Sequence, residues 1–583
     1  MREVVTWVEV DLERCARRWG VGACTAALSA AAPAKCFGSI ATCPVDAFMP
    51  EVMTLRFIDP RGPVPMGEIY YPALTDVSAR SATVNLAGSD ARLSSLGRRA
   101  TVKVTLADFE HHDRGIDPYQ AERVTGAAQF SGVGYDPARG TFFGKLKARW
   151  PYYSGRALRV KTGEMRGGAV VNVVTRAYVI SDWSGPSDSG VVVIEGKDIL
   201  SVADNARAVA PALSGGYLTA NITATDTALT LTPEGIGDLE YPPAGRVRIG
   251  SECADFTRAG DVLTLTARGV AGTSAAGHNA RDSAQLVLRF NAARVDDVLR
   301  ALLVDFAGVP AEFIPTAEWA AERARWLADL KLTTDITAPV GVAALVGELA
   351  DLGVSIWWDD VAQKIRIKAN RPPDDEPIYD LNDDAHIIGI QSDDRNEDRL
   401  TEIQFFTVQI DPTKSATDAA NFLRMTVTYD FEAKAPERYG DTRARKIYSR
   451  WLNSGADQLV GLLAARLLMR FSAPPQRIKA RVDAKDRAIG LTDVVRLQTA
   501  SIVDATGRAA PRLMQVIEVA EVKGGREVEL TLQAYPFSAR FGFSTEDARP
   551  DYDGSTEDQR AAGAYAIGPS LKFADGSGPF VAI

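Results

Sequence analysis

Four cysteines lie close together near the start of the sequence and are the clearest candidates for chemistry. They are Cys15, Cys24, Cys36 and Cys43, and the rest of the 583-residue chain contains only one more, Cys253. Thiolate sulfur is a soft, anionic ligand, and four thiolates can surround either one zinc ion or an iron–sulfur cluster. The clustering of thiols in a cysteine-poor chain therefore predicts a metal centre in this segment.

The spacing of the four thiols leaves the kind of centre open. Eight, eleven and six residues separate successive cysteines, without the C-x2-C pair common in zinc ribbons and ferredoxins. Neighbouring basic residues would suit an anionic cluster or lower the thiol pKa values, but a solvated basic face is an equally good interpretation. These residues are Arg14, Arg17, Arg18 and Lys35. Disulfides and unlinked buried thiols remain alternatives to a metal.

The composition is that of a globular protein and limits the classes of partner. The chain is 46% hydrophobic and 24% charged, and its length corresponds to roughly three to five domains of 100–200 residues. A net charge of -9 gives no general reason to bind nucleic acid, whose recognition rests on a basic face. The longest apolar run, 459–469, contains Arg466 and is shorter than the roughly 20 residues of a membrane span.

The N-terminal sequence indicates the compartment in which the chain folds. It carries acidic and basic residues where a secretory signal needs an apolar core. We therefore expect the chain to fold in a reducing cytosol, where clustered cysteines bind metal more often than they form disulfides.

The elements that must position the cysteines are mostly β-strands. Alternating apolar and polar residues predict strands within 100–109, 156–163, 189–200 and 262–269. Two further alternating runs flank Gly524 and Gly525, which predicts a hairpin because a two-residue primed turn needs positive φ at both positions.

Four helices and one more hairpin are expected in the second half. Apolar spacing predicts helices over 294–308, after Thr316 as the N-cap, over about 342–352 and over about 456–471. The last helix would bury Leu459, Leu462, Leu463 and Leu467. The hairpin over 354–369 would bury Ile365 and Ile367 and leave Lys364, Arg366 and Lys368 in solvent.

Other residues that could do chemistry have simpler interpretations. His111, His112 and Asp113 could form a metal or acid–base group, but adjacent residues on an extended segment point to opposite faces. Trp357 and Trp358 could bind sugar, although core packing explains at least the inward ring. The sequence has no G-x-S-x-G, H-E-x-x-H or P-loop pattern, so we expect a protein that is not an enzyme.

Several segments, in a fixed order, resemble one family of proteins. The cysteine segment from Cys24 to Phe57 is similar to the iron–sulfur segment of tail-tip hub proteins of long, flexible-tailed bacteriophages and gene transfer agents. The resemblance continues through DFEHHDRGIDPYQAER, GTFFGKLKARWPYYSGRALRV, VDDVLRALLVDFAGVPAEFI, SIWWDDVAQKIRIKANRPP and RKIYSRWL, and covers about residues 1 to 540. The individual segments are weakly specific, and it is their order that indicates the family.

The resemblance implies a structural subunit rather than a catalyst. Such hubs form a homotrimeric ring at the virion tail tip, connect the tail tube and distal tail protein to host-facing tip and fibre proteins, and take part in host attachment and genome delivery. It implies assembly in the host cytoplasm and a [4Fe-4S] cluster on Cys15, Cys24, Cys36 and Cys43, with zinc as the alternative. Cys253 matches no ligand and is expected to be a buried thiol. The alternative function is a tail-associated cell-wall-degrading enzyme.

These observations predict a mainly β protein with α+β parts, built of β-barrel-like hub domains, a small inserted β module and a short helical layer. The expected domains are the four-cysteine segment (1–57), a β hub domain (58–210), the inserted module (211–288), an α/β domain with helices and a hairpin (289–376), a second β hub domain with one helix (377–540) and a flexible acidic tail (541–583).

Overall fold

The protein is mostly β, as the sequence predicts, with its longer helices in the second half of the chain. The computed structural model describes residues 3–18, 20–25, 36–88, 90, 93, 96–121, 139–522, 527–536, 541–544, 564–567 and 581–582. Short 3-10 helices lie at Ile40–Thr42, Leu86–Gly88, Ile199–Asp204, Ala311–Phe313, Asn396–Asp398, Ala419–Asn421 and Ala484–Asp486.

Seven antiparallel strands form the N-terminal sheet, which confirms the strands predicted at 100–109, 156–163 and 189–200. They are β1 (Glu3–Cys15), β2 (Pro50–Ile58), β3 (Leu74–Arg80), β4 (Thr101–Ala107), β5 (Ala157–Arg166), β6 (Ala169–Ser184) and β7 (Val191–Lys197). Their spatial order is β2-β1-β5-β6-β7-β4-β3. A bridge between Phe57 of β2 and Tyr71, just before β3, brings the two edges of the sheet together. The sheet therefore curls into a barrel around an apolar core.

One helix packs into this barrel. Helix α1 (Phe142–Arg149) begins after Thr141, whose side chain accepts a hydrogen bond from the Gly144 N–H, and it ends before Pro151. Its buried residues include Phe142, Phe143 and Leu146, which belong to the barrel core.

The inserted module has a separate sheet and core. After β8 (Val209–Ala210) come β9 (Tyr217–Leu218), β10 (Ala228–Thr232), α2 (Ile236–Glu240), β11 (Ala244–Ile249), β12 (Glu252–Ala259), β13 (Val262–Ala267) and β14 (Ala284–Leu286). Strands β9 to β14 form one sheet in the order β14-β11-β12-β13-β10-β9. An apolar cluster drawn from residues 218–286 alone fills the module.

A helical layer follows the module, and two of its three predicted helices form as expected. Its elements are β15 (Leu288–Arg294), α3 (Val295–Arg300), a π-helical turn (Ala301–Phe306), α4 (Thr316–Trp326), β16 (Lys331–Ile336), β17 (Val340–Gly341) and α5 (Val342–Asp351). Strand β17 pairs with β8, and the buried faces of the helices belong to a core that also takes residues from the N-terminal and C-terminal sheets. The prediction for Thr316 was wrong: it is the first helical residue, Pro315 occupies the N-cap position, and no side chain caps the helix.

The hairpin after this layer forms where predicted, but one side chain differs. Strands β18 (Val354–Asp359) and β19 (Lys364–Ala369) pair antiparallel, and Ile365 and Ile367 are buried. Lys368 is also buried, against expectation, because its ammonium donates hydrogen bonds to Glu376 and to the Thr492 carbonyl. These two acceptors offset part of the cost of burying the ammonium, although burial still lowers the pKa of Lys368.

The C-terminal part contains two six-stranded sheets and one long helix. Its elements are β20 (Ile378–Asn382), β21 (Ile387–Asp394), β22 (Glu402–Gln409), β23 (Phe422–Asp430), α6 (Phe431–Lys434), β24 (Ala444–Tyr448), α7 (Asp457–Phe471), β25 (Gln476–Asp483), β26 (Val494–Gln498), β27 (Arg512–Val522), β28 (Glu527–Ala534), β29 (Phe541–Ser544), β30 (Ala564–Ile567) and β31 (Val581–Ala582). The sheet orders are β20-β26-β27-β28-β25-β21 and β24-β22-β23-β31-β29-β30.

The predicted glycine hairpin and the C-terminal tail are only partly described. Strands β27 and β28 pair antiparallel up to Val522 and Glu527, which confirms the hairpin, while Gly524 and Gly525 lie outside the described residues. Three short strands of 541–583 join the second sheet, and the rest of that segment lies outside the described residues.

Helix α7 packs on strands β22 and β23 and shows a second departure from expectation. Its buried face contains Val460, Leu463, Ala464, Leu467, Leu468 and Phe471, whereas Leu462 is 44% exposed and Leu459 is only partly buried. The buried stripe is therefore rotated by about one residue from the one predicted. Among the described residues, no helix is long and apolar enough to cross a membrane.

Candidate cysteine site

The cysteine segment is an excursion at one end of the β1–β2 hairpin. Strand β1 ends at Cys15, which pairs in register with Pro50 at the start of β2. The Cys15 N–H donates a hydrogen bond to the Gly38 carbonyl at 2.6 Å, and the Met49 N–H approaches the Cys15 Sγ at 3.5 Å. The strand pairing thus brings the first cysteine next to the turn that follows the third.

The other three thiols lie around a small apolar cluster. Cys24 and Cys36 are buried together against Tyr119, and Val45 packs beside them. Cys43 directly follows the 3-10 helix Ile40–Thr42, and its Sγ donates a hydrogen bond to the Val45 carbonyl. Cys15, Cys24, Cys43 and Cys253 are free thiols.

The electrostatics of Cys36 indicate that the four thiols are near one another. Burial raises the pKa of the Cys36 thiol to about 11, against a weaker opposing effect of the Gly38 N–H, which lies 3.4 Å from the Sγ. The negative charges of Cys43, Cys24 and Cys15 raise the pKa further. These charge effects are smaller than the effect of burial, which is the largest cause of the shift.

The four sulfur donors suit a metal centre chemically, but the side chains of the described residues are not close enough together to form one. Four soft sulfur donors are the set that zinc or a [4Fe-4S] cluster requires, and a positive centre would reverse the mutual repulsion of the thiolates. Within the described ranges, however, no three His, Cys, Asp or Glu side chains are grouped closely enough to hold a metal ion. Residues 26–35, which connect Cys24 to Cys36, lie outside those ranges.

Cys253 lies in a different part of the molecule. It is buried in strand β12 of the inserted module, where its N–H donates to the Thr273 hydroxyl. Burial raises the pKa of its thiol to about 11. This thiol is unreactive in character, because the thiolate is the nucleophilic form.

Residues 108–121 and helix α1 form a platform under the cysteine segment. Tyr119 contacts the Cys24–Cys36 cluster, and its hydroxyl reaches the Arg17 carbonyl at 3.4 Å. Gly38 has φ of +76°, and a Cβ there would lie 3.2 Å from the Pro118 ring, so the turn after Cys36 fits closely only with glycine.

A buried ion cluster anchors this platform. The Asp113 carboxylate accepts hydrogen bonds from Arg149 at 2.7 Å and Lys145 at 2.9 Å, both from α1. The Arg149 guanidinium also lies over the Phe37 ring, 4.2 Å from its centroid. Burial alone would raise the pKa of Asp113, but the bonds from Arg149 and Lys145 outweigh it and lower the pKa. Asp113 and Arg149 therefore connect the barrel to the residue next to Cys36.

Sequence reasoning missed this role of Asp113 and Arg149. Both lie in segments that carry the family resemblance, but neither spacing nor residue type indicated that a loop carboxylate would meet a helix cation 36 residues later. The proposed histidine group does not form: His111 packs against Tyr71, Phe109 and Phe142, and burial lowers its pKa. Its Nδ1 accepts a hydrogen bond from the Asp113 N–H at 3.0 Å.

The structure also describes the tryptophan pair and one of the basic residues near the thiols. Trp357 and Trp358 are both buried in the helical layer, and the Trp358 indole donates to the Ala177 carbonyl. Of the basic residues near the thiols, Arg14 pairs with Glu51 at 3.1 Å on the surface, and Lys35 lies outside the described residues.

Comparisons with known proteins found likeness only among solved structures. No protein-family model matches the chain, and no curated protein matches it. A tail protein from Neisseria meningitidis MC58 is 11% identical, with a TM-score of 0.32 over 76% of this chain and 89% of that one. The 43 kDa tail protein of prophage MuSo2 from Shewanella oneidensis is 9% identical, with a TM-score of 0.30 over 79% and 97%.

A chain of the virion of a native gene transfer agent particle is 13% identical, with a TM-score of 0.28 over 82% of this chain and 89% of that one. Because these TM-scores lie below 0.5 and the identities below 25%, the likenesses decide neither the arrangement of the domains nor the function.

Proposed function

We propose that this chain is a structural hub of a phage-type tail tip, in which Cys15, Cys24, Cys36 and Cys43 hold one [4Fe-4S] cluster. The main observation behind the proposal is that Cys24 and Cys36 are buried together, while the Cys15 N–H bonds the Gly38 carbonyl two residues after Cys36. The order of the family-like segments along the chain supports the assignment to a tail hub.

The role we assign to the cluster is structural. The described part of the cysteine segment has a very small apolar core, Cys24 and Cys36 with Tyr119 and Val45. Metal-binding free energy can replace buried apolar area in segments that cannot build a core of their own. We therefore expect the cluster to hold this segment on the barrel rather than to transfer electrons.

The test of the centre is a metal analysis of anaerobically purified, full-length chain. We expect visible absorbance together with iron and acid-labile sulfide, and we expect Cys36→Ser to lose them. Cys253→Ser is the matched control, since it removes a buried thiol outside the site, and it should keep the metal. Zinc without sulfide would favour the alternative metal, and a parent chain without iron or zinc would refute the centre.

Protease protection separates a structural role from an electron-transfer role. If the cluster holds the segment, Cys36→Ser should expose residues near 36–49 to proteolysis while the barrel strands stay protected. Cys253→Ser should leave that region intact. A Cys36→Ser variant that assembles into tails and resists protease like the parent would contradict the structural role.

We further propose that three copies form a closed ring around the tail axis, in contact with a distal tail protein and host-facing tip proteins. Exposed apolar side chains on the N-terminal part of the chain support such contacts: Val52, Met66 and Ile69 are 63%, 80% and 66% exposed in the single chain. Permanent contacts of this type bury more than roughly 2,000 Å2. A tail-tip reconstruction with any number of copies other than three would refute the ring.

The proposed role is structural rather than catalytic. The sequence alternative, a cell-wall-degrading enzyme, is tested by a gel assay for peptidoglycan cleavage with the purified chain. Cleavage would overturn the structural assignment.

A further inference from the structure

A cavity of about 390 Å3 opens where three parts of the chain meet. One wall comes from the loop after β13 in the inserted module, one from the β15–β16 hairpin, and one from the ends of β22 and β24. Small-molecule sites commonly have volumes of roughly 300–1,000 Å3 and lie at domain junctions. None of the cavity's lining residues belongs to the cysteine segment or to the strands of the N-terminal barrel.

The backbone around this cavity adopts conformations that residues with side chains seldom adopt. Ala271 and Val408, which line it, have φ of 56° and 61°, and Ala292 beside it has φ of 45°. Positive φ at a β-branched residue such as valine is unusual and persists only where the surroundings impose it. A Cβ on Gly272 would lie 1.9 Å from the Ile410 carbonyl oxygen, so the module loop and the β22 loop abut directly.

Three residues of the cavity wall have buried polar atoms without hydrogen-bond partners in the described part of the chain. They are the Thr334 hydroxyl, the Gln409 Nε2 and the Arg450 Nε. Buried polar atoms are nearly always paired, so three exceptions on one cavity need an explanation. Two of the three are N–H donors, which favours a ligand rich in acceptors.

The charges on the two arginines of the cavity differ in how well they are balanced. Arg289 lies 3.0 Å from Asp335 and 3.6 Å from Asp255. Arg450 donates to a single carboxylate, that of Glu348, at 2.8 Å. Among the described residues Arg289 therefore has two carboxylate partners and Arg450 has one, which leaves Arg450 with more donors for a further acceptor.

We propose that this cavity binds a hydroxylated carboxylate of the sugar-acid class. The carboxylate lies at Arg450 and Gln409, which turn their unpaired donors toward it by small side-chain rotations. The exposed amides of Asn291 and Asn453 hydrogen-bond the hydroxyl groups, and the ring lies against Phe290. This inference does not depend on the metal centre or on the tail assignment.

The experiment is a titration of the full-length chain with D-glucuronate, followed by calorimetry or ligand-observed NMR. D-glucose is the matched neutral ligand, since it has the same ring without the carboxylate. We expect glucose to bind at least about tenfold more weakly, because a charge-assisted hydrogen bond is stronger than a neutral one. Acetate should compete only weakly, because it lacks the hydroxyl groups.

Two variants locate the binding site. Ile410→Trp fills the cavity from an exposed position, and Arg450→Gln removes the charge; each should weaken glucuronate binding about tenfold or more. Val503→Trp is the control, since Val503 is 44% exposed and lies outside the cavity. Ile410→Trp keeps the test valid if Arg450→Gln does not fold.

Four results would overturn the proposal. In the first, glucuronate does not bind the parent chain, and in the second, glucose binds as tightly as glucuronate. In the third, acetate competes for the site as strongly as glucuronate binds it. In the fourth, glucuronate binds Ile410→Trp as tightly as it binds the parent. The third result would identify a simple anion site, and the fourth would place the binding elsewhere on the chain.

Discussion

The ion cluster under the cysteine segment makes a sharp test of how that segment is held. Asp113 has a side chain that is 3% exposed, and it receives Lys145 and Arg149 at 2.9 Å and 2.7 Å. Asp113→Ala removes the carboxylate and leaves two largely buried cations without it. Removing one partner of a buried, hydrogen-bonded ion pair costs about 3–5 kcal/mol. We expect a loss of that size in the stability of the barrel around helix α1.

Hydrogen exchange measured by mass spectrometry reports this loss locally. At about 1.4 kcal/mol per tenfold change, amides of α1 and the end of β1 should exchange faster by about two to three and a half orders of magnitude. Residues 36–43 should also lose protection, because Arg149 holds Phe37. Asp59→Ala is the control, since Asp59 binds Arg61 on the surface at 2.9 Å.

The pH dependence of this effect has a definite sign. The pKa of Asp113 is lowered in the folded protein from its ordinary value of 3.8. Such a carboxyl contributes stability that is fully present above pH 3.8 and is lost as the pH falls through the folded-state pKa. The difference between parent and Asp113→Ala should therefore be complete at neutral pH and shrink below about pH 4. Equal protection of α1 in parent and Asp113→Ala, or equal loss in Asp59→Ala, would refute the reasoning.

Two further predictions concern the inserted module and the helical layer. Arg268 and other donors hold the pKa of buried Glu252 at about 2, although burial alone would raise it above its ordinary value of 4.5. Glu252→Gln should therefore lose about 3 kcal/mol of module stability above pH 4.5. In thermal unfolding, the variant should also lose less stability than the parent as the pH falls toward 2. An unchanged acid profile would contradict this. Leu345→Ala on α5 should cost about 2–5 kcal/mol in denaturant unfolding because Leu345 is fully buried, whereas equal loss in the exposed control Leu462→Ala would contradict the assigned packing.

Local patterns in the sequence determined most of the secondary structure. Alternation predicted strands such as Thr101–Ala107, because such a strand needs only one buried and one more exposed face. The helix over Val342–Asp351 followed for the same reason, since its apolar residues recur at helical spacing. The crowding of four thiols was likewise visible before any folding, because it is a matter of composition.

Tertiary structure decided which residues those elements place together. Lys368 is buried where its ammonium donates to Glu376 and to the Thr492 carbonyl, 124 residues later in the chain, and periodicity contains no information about such partners. Leu462 is exposed because strands β22 and β23 approach helix α7 from a slightly different side than the leucine spacing suggests. Both differences arise from contacts between segments that are distant in sequence.

The same limit applies to the candidate sites. The sequence alone determined that four thiols are available, but the position of Cys15 beside Gly38 depends on β1–β2 pairing, and the burial of Cys24 and Cys36 depends on Tyr119. Asp113 and Arg149 became partners only when a loop and a helix packed on one barrel. The cavity at Arg450 has no local signature, because its walls come from three separate parts of the chain. Short-range spacing fixes the elements, whereas charge pairing and cavity shape depend on long-range packing.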